Sequence, residues 1–104
     1  MAAAVAAAAV QELAATLIEA GVDPGMAQAA AAIDDERVAA PLRFLVLCWR
    51  CSRRSIAHLG DLLASVPPHE TERHAGVADQ LAQTMAEQRA IGYALRLICF
   101  AVQQ

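Results

Sequence analysis

The hydrophobic positions of this chain fall into helical seams, and the most regular seam lies in its middle. Leu42, Leu45, Trp49, Ser52, Ile56, Leu59, Leu63 and Val66 recur with alternating three- and four-residue spacing, the signature of one face of a helix packed against another. Pro41 suits a first helical turn, and Pro67 with Pro68 forbids continuation. A helix over about 41–66 follows. Beside this seam runs a second apolar line through Phe44, Leu47 and Cys51, and from His58 to Leu62. So broad an apolar face needs cover from more than one side.

The same spacing returns in Val77, Leu81, Thr84, Gln88, Ile91, Leu95, Ile98 and Val102. It predicts a helix over about 69–102, begun at Pro68 or His69, with Glu70 and Glu72 complementing the dipole of its first turn. Matched seams joined by a short proline turn make an antiparallel helical hairpin. In the resulting register Ile56 meets Leu81, Leu42 meets Leu95, Phe44 meets Tyr93, and Trp49 meets Gln88. Ser52 lies near Thr84 as a polar layer able to fix register through hydrogen bonds, and Arg50 lies near Glu87. Gly76 and Gly92 are the points where that register can slip.

Two alanine-rich helices precede the hairpin. The first is expected over about 3–20, with Val5, Ala9, Leu13 and Leu17 inward, Val10 and Ile18 alongside, and Gly21 as its stop. Its first half is so uniformly alanine that the register there is weakly specified. Asp23 followed by Pro24 reads as an N-cap with proline at the first helical position. The second helix is expected over about 24–40, with Met26, Ala30, Ile33 and Val38 inward. Asp34, Asp35, Glu36 and Arg37 are then a solvated face or a helix end rather than a metal site. Pro41 either separates this helix from the next or kinks one longer helix.

Composition narrows the class without naming a function. The 104 residues suffice for one domain, here taken as residues 1–104. The chain is 58% hydrophobic but only 4% aromatic, because alanine supplies much of the apolar count. With strand alternation almost absent, the expected fold class is all-α: a helical bundle built on the hairpin. Every basic residue is an arginine, asparagine is absent, and the net charge is −3. Such usage fits a GC-rich, bacterial genome, and an acidic total argues against general binding to a phosphate backbone. The first twenty residues lack a basic start and are interrupted by Glu12 and Glu19, so they read neither as a signal peptide nor as a membrane span. An odd number of cysteines, three, fits reduced thiols in the cytoplasm.

Candidate chemistry is sparse. Cys48 and Cys51 lie one helical turn apart, the spacing of a thiol pair that can share a metal. Tetrahedral zinc needs two more ligands, and His58 lies about 10 Å further along the same helix; structural thiols are therefore preferred, with metal or thiol binding through Cys48 and Cys51 as the alternative. Arg50, Arg53 and Arg54, with Arg43 earlier, form a basic patch that reads first as a solvated or ion-paired face, then as a dock for an acidic partner, and last as a nucleic-acid contact. His58, His69 and His74 are scattered, and no phosphate loop or nucleophile–base arrangement is visible. Neither catalysis nor a cofactor is expected.

The apolar distribution points elsewhere. At the hairpin's open end, LRFLVLCW and LRLICFAV are apolar nearly all round. Either the N-terminal helices cover both strings or another chain does. The function expected is a non-enzymatic protein–protein interaction module, an adaptor, chaperone-like or regulatory subunit that self-associates. Phe44, Leu47, Leu97 and Phe100 are its expected anchors, with Arg50 and Arg54 beside them.

Overall fold

The computed structural model describes the backbone of residues 2–104 and the side chains from residue 4 onward. Four helices follow one another: α1 (Ala2–Glu19), α2 (Pro24–Ala31), α3 (Glu36–Ser65) and α4 (Thr71–Ala101). The all-α hairpin bundle is present, with α3 and α4 packed along each other as its largest helix–helix contact. Helix α1 packs on α2 and α3, and α2 also touches α4, so the short pair forms a layer over the open end of the long hairpin.

Local chemistry sets most of the boundaries. Gly21, at φ 99°, adopts the left-handed conformation that glycine takes without a Cβ penalty. It lets Val22 N–H donate to the Leu17 carbonyl at 2.9 Å and Gly21 N–H to that of Ile18 at 3.0 Å, a Schellman closure. Val22 and Leu17, the apolar pair of that motif, are both buried. Asp23 then caps α2, its carboxylate accepting from Gly25 N–H at 3.0 Å and Met26 N–H at 3.3 Å.

The second helix is shorter than its apolar spacing predicts. It stops at Ala31 rather than Ala40, and α3 begins at Glu36 and runs through Pro41 without a break. Asp35 is the reason: its carboxylate accepts from Arg37 N–H at 3.0 Å, capping a new helix five residues before the proline. The acidic run is thus a helix start, and Pro41, exposed and in the second turn, removes only the bond owed to the Arg37 carbonyl. Hydrogen bonds from the Arg37 side chain and backbone hold the Asp35 carboxyl below the usual carboxylate range. Its contribution to stability is therefore present at neutral pH and is lost as the pH falls through that lowered value.

All sixteen hairpin-seam positions named above are buried or half-buried. Their register holds to within about a turn: Ser55 and Leu59 share a cleft with Gln80 and Thr84. The polar layer behaves differently from expectation. Ser52 Oγ donates to the Trp49 carbonyl at 2.9 Å, and Thr84 Oγ1 to that of Gln80 at 2.9 Å. Each hydroxyl closes on its own helix, as serine and threonine do when a carbonyl three or four residues back is in reach.

The core gathers at the open end. Leu17, Leu42, Leu95 and Cys99 are its largest fully buried side chains, with Ala14, Ala27, Ala30 and Val46 around them. No residue between Arg50 and Ala90 belongs to this cluster; beyond it the hairpin continues as a two-helix stalk. The molecule measures 54 × 33 × 21 Å, with a radius of gyration of 17.0 Å against about 13 Å for a compact chain of this length.

Helix α1 also departs from its expected inward face. Ala14, Thr16, Leu17 and Ala20 are buried and Leu13 half-buried, whereas Val5, Ala9 and Ile18 are exposed. An eight-residue α2 spans about 12 Å and cannot cover the first half of an eighteen-residue α1. Among the described residues no helix is long and apolar enough to cross a membrane.

Candidate interaction surface

The side chains expected to seek a partner are the ones left uncovered. Phe44 is 65% exposed, Phe100 59%, Leu47 56% and Leu97 49%. They occupy two strips. Phe44 and Leu47 lie on the outer edge of α3, which α4 and α1 both leave open, with exposed Cys51 and Arg54 one and two turns further on. Leu97, Phe100 and Tyr93 lie on the edge of α4, where with Val22 and Met26 of the shorter layer they line a cleft of about 380 Å³. A second cleft, of about 300 Å³, runs between α1 and α3 with Val10, Leu13, Val46 and Leu47 on its walls. The layer of α1 and α2 therefore covers one face of the hairpin's apolar end and leaves both flanks open.

The arginines have been put to internal use. Arg50 does not meet Glu87. It reaches α1, where Nε and Nη2 donate to Thr16 Oγ1 at 3.2 and 3.0 Å and Nη2 donates to the Glu12 carbonyl at 3.3 Å. Thr16, half-facing that guanidinium, donates in turn to the Glu12 carbonyl at 3.1 Å. Arg53 pairs with Glu19, and Arg43 with Glu36 at 2.8 Å. From α4, Arg96 donates to the Ala20 carbonyl at 2.8 Å, placing a cation at the negative end of the α1 dipole. Three guanidiniums thus fasten α1 to the hairpin. Of the basic patch, only Arg54 makes no ion pair or hydrogen bond among the described residues, and the patch loses its character as a free cationic surface.

Arg50→Ala is expected to lower unfolding free energy by about 1–2 kcal/mol, the loss of a part-buried charged donor. Arg54→Ala is expected to stay within about 0.5 kcal/mol. Urea unfolding of the two variants checks both.

Trp49 is placed differently from its expected neighbour. Its ring lies over Gly92, one turn beyond Gln88: a Cβ built on Gly92 would come within 2.9 Å of Trp49 Cζ3. A glycine inside a helix was legible as a weak point, but the signal that it seats an indole was not. Trp49 Nε1 is buried there without an acceptor.

Cys48 is half-buried, Cys51 exposed and Cys99 buried, and all three are unbonded. Burial raises the Cys99 thiol pKa, which suits an inert core residue. His58, His69 and His74 are all exposed. Among the described residues no three of His, Cys, Asp or Glu converge as a metal-binding group. Comparison of the chain with family models, with curated proteins and with solved structures finds no match, so the reading of this surface stands on its own geometry.

Proposed function

We propose that this chain is a non-enzymatic helical interaction module that self-associates through the apolar end of its hairpin. The observation that carries the reading is the exposure of Phe44, Leu47, Leu97 and Phe100 beside a core that is otherwise closed. Scattered exposed leucines are ordinary, but large apolar side chains gathered at one end mark a contact surface.

The total surface supports the same reading. The chain exposes 6757 Å², about 1,100 Å² more than the roughly 5,600 Å² that mass scaling gives for a compact monomer of this size. A standard interface removes about 800 Å² from each partner, and obligate dimers remove more. The elongated two-helix stalk supplies part of that excess, and the open flanks of the apolar end leave area of the size that pairing with a second copy conceals.

The test is the double variant Phe44→Glu with Phe100→Glu. Both residues are exposed within one chain, so helicity by circular dichroism is expected to stay unchanged. In an interface each glutamate would place a charge in an apolar contact. The mass in solution, by light scattering behind size exclusion, is expected to fall to that of one chain. An unchanged oligomer in that variant would refute the reading.

A further inference from the structure

From the outer edge of α3 we infer that two copies of the chain share one zinc ion held by Cys48 and Cys51 of each; this rests on the self-association reading and makes it specific. Phe44, Cys48, Cys51 and Ser55 follow one another at four-, three- and four-residue spacing. They form a second seam on α3 beside the one that faces α4, with Ser55 at the border of the two, where it also lines the cleft shared with Gln80 and Thr84. Phe44, Cys51 and Ser55 are exposed and Cys48 half-buried, so the seam is available to another helix.

One chain brings two thiols one turn apart, about 4.5 Å along the axis, and no third ligand converges on them among the described residues. Structural zinc takes four ligands in a tetrahedron at about 2.3 Å from sulfur. The site is therefore half a site, and a second copy completes it. An antiparallel pairing about a two-fold axis sets Cys48 opposite Cys51 of the partner subunit, and Cys51 opposite Cys48 of the partner subunit. The same register sets Phe44 opposite the small Ser55 of the partner subunit, a large group over a small one. Such an interface is isologous and closes on itself.

Charge fits as well. Four thiolates around one zinc leave a net charge of −2, and the four thiol protons are released to solvent on binding. Arg54, one turn past Cys51 and exposed, makes no ion pair among the described residues. One Arg54 from each copy balances the centre.

The experiment is native mass spectrometry of the reduced full chain with added Zn²⁺, beside Cys51→Ala and the double variant Cys48→Ala with Cys51→Ala. The expected result is one zinc per two chains, lost in both variants. Replacement of zinc by Co²⁺ is expected to give the absorption of a tetrahedral thiolate centre. Cys51 is exposed, so its variant is expected to fold. A dimer that takes up no zinc, or zinc retained by the double variant, overturns the shared site while leaving self-association standing. A chain that stays monomeric with and without zinc overturns both.

Discussion

Gly92→Val is expected to lower unfolding free energy by about 2–4 kcal/mol, the range of an overpacked core position with little room to relax. Even a Cβ at this position meets Trp49 Cζ3 at 2.9 Å and Arg96 Nη1 at 3.3 Å. The indole is a rigid plate wedged between α3 and α4, and it cannot retreat as the end of a flexible chain would. The guanidinium is committed to the Ala20 carbonyl, so displacing it also loosens α1. Gly76→Ala is the control. Nothing lies within 4 Å of a Cβ built there, and alanine in an open helical position is expected to add about 0.5–1 kcal/mol. Urea midpoints should therefore move in opposite directions for two glycine substitutions in the same helix.

Leu95→Ala is expected to cost about 2–5 kcal/mol, because a fully buried leucine leaves both lost transfer energy and a cavity. Its exposure is 0%, and it sits with Leu17, Leu42 and Cys99 where all four helices meet. Against a typical total of about 5–15 kcal/mol, that is a large part of the fold's stability. The informative comparison is Leu97→Ala, the same substitution two residues along. Leu97 is half exposed and is expected to change the stability of a single chain by less than about 0.5 kcal/mol. Its effect is expected in association instead. Thermal unfolding over a series of concentrations separates the two, since only a change in association makes the midpoint depend on concentration.

The contrast between Leu95 and Leu97 also shows what a sequence displays and what it hides. The seam facing a partner helix was legible because its spacing is strict and runs over many turns, from Leu42 to Val66 and from Val77 to Val102. The exposed Phe44, Leu47, Leu97 and Phe100 were legible by subtraction, as bulky residues lying off that seam. Boundaries set by a single side chain were less visible. Nothing in the apolar spacing distinguishes Asp35 as a cap from Asp35 on a solvated face; only its bond to Arg37 N–H does. The inward side of α1 is hidden for a related reason. Alanine fits either face of a helix, so the short reach of α2, not the residues of α1, decides that Val5 stays uncovered.

The cross-links of the bundle were the least legible feature. Arg50 reaches Thr16 across 34 positions of sequence, and Arg96 reaches Ala20 across 76. Arginine side chains are long, and several carbonyls and carboxylates compete for each. Hairpin register alone brought Arg50 near Glu87, but the layer of α1 on α3 brought Thr16 closer. That layer also takes up much of the basic patch: Arg53 pairs with Glu19 and Arg50 bonds Thr16 and the Glu12 carbonyl, while Arg43 pairs with Glu36 of its own helix.

Self-association is the claim on which the functional reading depends, and sedimentation velocity of the reduced, unmodified chain across a wide concentration range tests it most directly. The expected result is a species of twice the 11.0 kDa chain mass or a higher multiple, persisting to low concentration and compact relative to the elongated single chain. A species that stays at the mass of one chain at every concentration, with the frictional ratio of a 54 Å rod-like molecule, would contradict it.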